Sequence, residues 1–579
     1  MTRRRLIQAA RGNAPLDVVI RGAMVLNVYT LELRRADIGL LGDRIAIVDD
    51  GAKLGLQGRE TLEVDGLIAV PGYVDAHVHI ESSFVTPTGF AQAVLPFGTT
   101  TVVIDPHEIC NVMGLEGFEY MLLASEHLPL RVFVTVPSSV PAVPELETSG
   151  ARFEAADIAQ MLEHPRVVGV AELMDYPGVI RGRTRTADIV EAGLRSGKIL
   201  EGHAPLLGGR DLAAYLAAGV DADHECRSAE EMIEKIRAGM WVYGRENTFR
   251  HTGAYLAQAL RELPHAWNVA LCTDDTDPDD LLRHGHLDRG VRALLEGNVD
   301  PALAYRVASL GGATRFSLRD LGAIGAGKFA DILLLEALDN PTPRIVMAGG
   351  RVVARDGQMT LEFPDPQPAP RRNTVSVAAL TEAHFTLHSS KPDGLVAVNL
   401  LEIDAVRTTR LASVSLPFQN GQLELPLPDD LLLLSVVPRH GQTHPPSLTL
   451  LRGLGLRSGA LATTVAHDSH NLIVAGKHPS DMLLAIREVQ RIGGGAALVS
   501  NGEVLATLKL EVAGLMSDAS VHTVAAQVSA FNAAARGLGL GGPSPVMAIS
   551  SLALPVAPFY RLTDLGLVDT LQQEFVKPL

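Results

Sequence analysis

Apolar and polar positions alternate in two distinct rhythms along this chain. From Leu16 to about Glu63, short β-branched runs such as Asp17-Val-Val-Ile are broken by Gly and Asp turns, which predicts the strands of a small sheet. The same texture returns at Gly327-Lys-Phe-Ala-Asp-Ile-Leu-Leu-Leu-Glu and Arg344-Ile-Val-Met-Ala. One domain assembled from both sides of an insertion accounts for both stretches. Inside the insertion, apolar runs at 99–104, 130–136, 167–172 and 269–274 alternate with helical spacing at 155–162, 186–196, 210–218 and 228–238. A β/α alternation over about 250 residues is the size of a closed barrel. The structural rival is a doubly wound open sheet, but no GxGxxG follows the first strand, which disfavours a dinucleotide-binding version. A short helix is expected at 5–12, before Gly12. The proline-rich run 364–372 reads as a linker. The expected fold class is therefore α/β: a (β/α)8 TIM-like barrel, a small β-sandwich domain built from both flanks, and a C-terminal α+β domain. The boundaries are 1–66 and 321–363 for the sandwich, 67–320 for the barrel and 373–579 for the last domain.

If the middle is a barrel, chemistry belongs at the carboxyl ends of its strands. The apolar approach Leu67–Val70 passes a Pro-Gly pair and ends in His77-Val-His79, and alternate residues of a strand leave it on one side. Later strands end in Glu172, His203, His224 and Asp274-Asp275. A lone strand-end histidine is ordinarily polar surface, and a strand-end acid is often a helix cap. Four histidines, one glutamate and one aspartate in barrel order instead make a ligand set for two divalent metals bridged by a carboxylate.

The chain has 579 residues, 47% of them hydrophobic and 20% charged, which describes a globular protein of two to four domains. Lys+Arg 50 against Asp+Glu 66 gives −16, which argues against nucleic acid or an anionic membrane as partner but not against a free nucleobase. The cysteines Cys110, Cys226 and Cys272 lie far apart without a CxxC, so a reducing compartment is expected, with Cys226 and Cys272 as packing residues. No run of about 18 apolar residues and no cleavable leader is found, and a cytoplasmic protein is the expectation.

The motifs resemble those of the amidohydrolase superfamily, and within it those of bacterial adenine deaminases. The resemblance is carried by Pro71-Gly-Tyr-Val-Asp-Ala-His-Val-His-Ile-Glu-Ser-Ser, Asp105-Pro-His-Glu-Ile, Gly169-Val-Ala-Glu-Leu-Met, Gly202-His-Ala-Pro, Asp223-His-Glu-Cys and Cys272-Thr-Asp-Asp. It continues in Thr464-Val-Ala-His-Asp-Ser-His-Asn, Gly514-Leu-Met-Ser-Asp and Leu552-Ala-Leu-Pro-Val, and so spans nearly the whole chain. Many superfamily members bridge their metals with a carboxylated lysine on strand four. Glu172 stands there instead, as in adenine deaminases.

The resemblance implies hydrolysis of adenine to hypoxanthine and ammonia at two divalent ions, Mn or Fe, with Zn also compatible. It further implies a small aminopurine as substrate and a homodimer or larger assembly. His77 and His79 are expected to hold one metal, His203 and His224 the other, with Glu172 bridging. Asp274 is expected to serve as both ligand and base, and Glu81 as the acid for N1. His107, Glu108, Arg245 and Ser83 are assigned to substrate, with a further metal or a structural loop as the alternative for His107 and Glu108. The loop holding His467 and His470 is expected to fold over the barrel mouth. Where the family shows Arg-Glu-Gly-Ser, this chain has Arg245-Glu-Asn-Thr248. The Lys-His-Pro-Asp-Asp and Glu-Gly-His of the family read Thr276-Asp-Pro-Asp-Asp280 and His284-Gly-His286. These departures keep an N6-substituted adenine or another aminopurine as an alternative substrate. A cyclic amide or amidine hydrolase and a non-catalytic binding protein are the competing classes.

Overall fold

A computed structural model describes residues 2–363, 367–370, 373–390, 393–405 and 408–577. The proline-rich run at 364–372 lies largely outside the described residues. Eight short parallel strands form the centre: β1 (Tyr73–Val78), β2 (Thr99–Ile104), β3 (Arg131–Val136), β4 (Val167–Leu173), β5 (Ile199–Gly202), β6 (Ala222–Asp223), β7 (Trp241–Arg245) and β8 (Val269–Cys272). β1 to β5 make one parallel ladder and β6 to β8 a second. Hydrogen bonds between Asp274 and β1 join the two on one side, the Asp274 N–H donating to the His77 carbonyl at 3.0 Å. On the other side β5 and β6 pack so closely that a Cβ at Gly202 would fall 2.2 Å from the Ala222 carbonyl oxygen. Both β1 and β2 are buried along their whole length.

Helices follow the strands, among them Ala155–Met161, Thr184–Ser196, Gly209–Ala217 and Ala229–Arg237, close to the four helical stretches expected from spacing. The first helix is Arg3–Ala10.

The flanking strands join in one continuous nine-stranded sheet. Its keystone is Ile68–Pro71, which pairs in parallel with Leu16–Asn27 and antiparallel with Ile332–Leu335, so that both sides of the insertion meet at the strand leading into β1. Only Gly72 separates that strand from β1, and a Cβ there would meet Thr100 Oγ1 at 2.1 Å.

The last region holds a second nine-stranded sheet with the helix Pro479–Ile492, then Val521–Gly537 and a three-stranded sheet, Tyr560–Thr563, Gly566–Asp569 and Glu574–Val576. It docks on the barrel through shared polar contacts. The Ser517 N–H donates to the Phe84 carbonyl at 2.8 Å, Asn471 Nδ2 to the Thr148 carbonyl at 2.7 Å, and Thr148 Oγ1 to Asp564 Oδ2 at 2.6 Å. The connection between strands Ala460–Thr463 and Leu472–Gly476 is thereby brought to the barrel mouth, as the sequence suggested for the loop of His467 and His470.

Candidate active site

The six residues at the strand ends converge in the interior of the barrel mouth, all of them buried. Glu172 divides its carboxylate between two histidine pairs. Oε1 lies 3.5 Å from His77 Nε2 and 3.3 Å from His79 Nε2, whereas Oε2 lies 2.7 Å from His203 Nδ1 and 3.4 Å from His224 Nε2. The two Nε2 atoms of His77 and His79 face each other at 3.1 Å. His79 Nδ1 is 2.9 Å from the Asp105 carbonyl, an acceptor, so the ring proton sits on Nδ1 and the Nε2 lone pair points inward. Asp274 Oδ1 adds a fifth group, 3.2 Å from His79 Nε2 and 3.9 Å from His77 Nε2. The backbone of Asp274 has a φ of 57°, which turns its side chain back over the end of β1.

Lone pairs and carboxylate oxygens gathered this tightly fit divalent metals. A set of nitrogen and oxygen ligands without sulfur fits Mn, Fe or Zn. Burial opposes the charge of Glu172, but His224, His77 and His203 outweigh it and hold its carboxyl well below the usual range.

Around this cluster lies a small cavity of ≈ 60 Å³. Its floor includes His79, Glu172, His203, His224 and Asp274, and its side includes Glu225, Arg245 and Asp275. His467, Asp468, Ser551 and Pro558 close it from the C-terminal region. Arg245 is buried, and one of its nitrogens, Nη1, donates to both Glu225 Oε1 and Asp274 Oδ2. Burial and Asp275 push the Asp274 carboxyl up, but Arg245 and His79 prevail and it lies below its ordinary value.

The other expected substrate contacts are placed differently. Ser83 donates to the Ile80 carbonyl within its own turn and does not reach the cavity, so it is withdrawn as a substrate contact. Its neighbour Ser82 instead lies 3.0 Å from Glu108 Oε1 and 2.6 Å from Asp275 Oδ1. Glu108 also stays behind the wall, 3.2 Å from His467 Nδ1. His107 borders the cavity but turns its nitrogens to carboxylates, Nδ1 to Asp105 Oδ2 at 2.8 Å and Nε2 to Asp468 Oδ1 at 3.5 Å. Glu81 lies one layer back, accepting the Ile109 N–H at 3.2 Å through Oε1. Its Oε2 is buried without a partner among the described residues. Of the loop after β8, His284 is exposed on a helix end and His286 is buried beneath the barrel mouth, 2.9 Å from Thr99 Oγ1 and 3.1 Å from Thr273 Oγ1. Glu225, Arg227 and Ser551 were not singled out from sequence, where each is one polar residue beside others without periodic signal.

Residues 68–353 match the amidohydrolase family, and residues 407–574 match the adenine deaminase C-terminal domain. The chain is 42% identical over 566 residues to a protein named adenine deaminase from Nitratidesulfovibrio vulgaris, covering 97% of this chain and 96% of that one. It belongs to the adenine deaminase family. Relatives of the same name from Desulfatibacillum aliphaticivorans and Moorella thermoacetica are each 40% identical, covering 99% of this chain and 98% and 97% of theirs. Membership thus extends over barrel and C-terminal region alike, and the residues that close the cavity from above come from the part matched by the C-terminal domain.

Proposed function

We propose that this protein hydrolyses adenine to hypoxanthine and ammonia, with His77 and His79 holding one divalent metal, His203 and His224 a second, Glu172 bridging and Asp274 completing the first. What supports this most directly is the split of Glu172 between two histidine pairs, in a chain that aligns end to end with proteins named adenine deaminase. Two divalent cations there would make water a competent nucleophile near neutral pH.

Asp274 is the base: Oδ1 faces the reaction space while Arg245 holds Oδ2, so the carboxylate is ionised and fixed in direction. It takes a proton from the attacking water and passes it to the departing amino nitrogen. Addition at C6 would load charge onto the ring unless N1 is protonated. Burial and the neighbouring Glu108 push Glu81 up to about 8, so it carries a proton at neutral pH, and it is our donor for N1 provided that substrate binding draws its carboxyl forward from one layer behind the cavity. When ammonia leaves, the hydroxyl proton on C6 is lost to restore Glu81, leaving the carbonyl of hypoxanthine.

At two of the family departures, Asn247 Oδ1 accepts the N–H groups of Phe249 and Arg250 while its Nδ2 lies 3.5 Å from Asp274 Oδ2, and Thr248 Oγ1 joins Asp277 and Asp280. Adenine is the substrate proposed, with an N6-substituted adenine as the alternative.

The test is ammonia release from adenine by metal-free protein reloaded with Mn, Fe or Zn, beside adenosine and N6-methyladenine. Turnover of adenine with about two metals per chain is expected. Two bound metals without release from any purine would sink the proposal.

A further inference from the structure

The cavity has a polar roof whose atoms are left unsatisfied by the protein. Asp468 Oδ2, His467 Nε2 and Ser551 Oγ are each buried and without a hydrogen-bond partner among the described residues, and all three residues line the cavity above the strand ends. Leaving a buried polar atom unpaired costs about 1–3 kcal/mol, so three together over one small cavity point to a ligand that pairs with them. Asp468 is the most informative of the three, because its orientation is fixed. Its Oδ1 is faced by His107 Nε2 and His467 Nδ1, each at 3.5 Å, and His107 is itself anchored through Nδ1 on Asp105. Oδ2 is the oxygen left without a partner among the described residues, in a residue that lines the cavity. An ionised carboxylate has no proton to give and can only accept. Burial opposes its charge, but His107 and His467 hold the group well below the usual carboxylate range.

We propose that Asp468 Oδ2 accepts the N–H of the imidazole ring of a purine base, and so selects the free base over any derivative alkylated at that nitrogen. The proposal rests on adenine as the substrate of this site and adds the group that reads its far edge. The amino group and C6 must lie at the strand ends, beside Asp274. The opposite, five-membered ring then faces the roof. Adenine carries one N–H there, and a nucleoside carries a sugar instead. A site built to bond a particular N–H rejects the analogue lacking it far more strongly than an apolar pocket does, since its own acceptor is then stranded. Specificity for a free base would thus come from the C-terminal region, while the barrel supplies the chemistry.

The test is steady-state kinetics of wild type and Asp468→Asn on adenine and 9-methyladenine, with metal content counted for both proteins. Asparagine has the same shape, and the two histidines fix its carbonyl on their side, turning the amide NH2 toward the ring N–H. Wild type is expected to prefer adenine by ~100-fold or more. In Asp468→Asn, kcat/KM for adenine should fall by ~100-fold, chiefly through KM, with metal content unchanged and 9-methyladenine little affected. The preference for adenine would then shrink to a few-fold. Steric exclusion of the methyl group alone would survive the substitution, so an unchanged preference in the variant overturns the proposal. If the variant misfolds or loses metal, wild type decides with an adenine isostere that carries a ring oxygen in place of that N–H and so adds no bulk: turnover equal to adenine overturns the proposal, and strong discrimination upholds it. Wild type inactive on adenine overturns the substrate assignment as well, whereas active wild type with an indifferent variant overturns only the role of Asp468.

Discussion

Arg245 and Asp274 form a buried ion pair in which the guanidinium takes Oδ2 and leaves Oδ1 facing His79 at 3.2 Å. The two oxygens of one carboxylate therefore have separate duties, and Arg245 serves the site by holding Asp274. Asp274→Asn keeps the shape but not the basicity. Turnover should fall by at least 10²–10⁴-fold, the usual worth of a positioned base, while much of the bound metal remains. Metal content measured beside kcat separates the two effects, and retained turnover removes Asp274 as the base.

Glu81→Gln keeps the hydrogen bond from the Ile109 N–H but cannot deliver a proton. A drop of ~10²-fold in kcat is expected, with KM for adenine and metal content near wild type. An unchanged kcat would move the N1 proton donor elsewhere.

Stripping the metals should abolish ammonia release, and adding Mn back should restore it. Because the ligands are assembled only in the folded barrel, metal binding also stabilises it. A ligand at 100–1,000 times its dissociation constant contributes about 3–4 kcal/mol, so metal-free protein should melt measurably lower. A melting temperature indifferent to Mn, with activity also unmoved, would contradict a metal centre.

Lys235 is buried against the turns that follow two of the histidines. Its Nζ donates to the Ala204 carbonyl at 2.7 Å, to Asp223 Oδ2 at 2.9 Å and to Glu231 Oε1 at 2.6 Å. Asp223 Oδ1 in turn accepts the N–H groups of Ala204 and Glu225, the residues directly after His203 and His224. Lys235→Met strands Asp223 as an unpaired buried charge. A loss of about 3–5 kcal/mol in denaturant unfolding is expected, together with weaker metal retention on the His203/His224 side. A variant as stable as wild type would show that Asp223 finds another partner.

Asp277 caps the helix Pro278–His284 through Oδ1, and burial pushes its carboxyl up to about 6. The native pKa exceeds the unfolded one, so the group favours folding below about pH 4, and that contribution is lost as pH rises through 6. Asp277→Asn keeps the cap and removes the titration. Wild type should lose about 3 kcal/mol relative to this variant between pH 4 and pH 8. Stability curves that run parallel would show that Asp277 ionises freely.

Much of the candidate site was legible because each proposed metal ligand lies at or just past the carboxyl end of a strand. His77, His79, Glu172, His203, His224 and Asp274 are polar residues next to apolar strand positions, and that contrast is visible in one dimension. What each side chain touches was not visible. Ser82 and Ser83 are indistinguishable in sequence, yet a three-residue turn sends one to Glu108 and Asp275 and the other to its own backbone. His107 looked like a substrate contact because it ends β2, but Asp105 and Asp468 occupy its nitrogens. The polar tetrad His467-Asp-Ser-His470 could be noticed between two apolar strands, and its loop could be aimed at the mouth. Singling out Asp468 Oδ2 required knowing which atoms His107 and His467 already held. The interleaved flanks were readable from texture, but the role of Ile68–Pro71 in joining them depends on pairings more than 260 residues apart in the chain, as between Ile68 and Leu335.

The proposed metal ligands all precede residue 275, whereas the cover over them begins at His467, about 190 residues later. A growing chain that folds from its N-terminus can therefore complete the ligand set while its mouth still stands open to solvent. Ions would then reach the proposed ligands before the C-terminal region covers them. In the mature protein the proposed ligands lie beneath that cover, so the slow step in reconstitution would be an opening of the seam between the two regions.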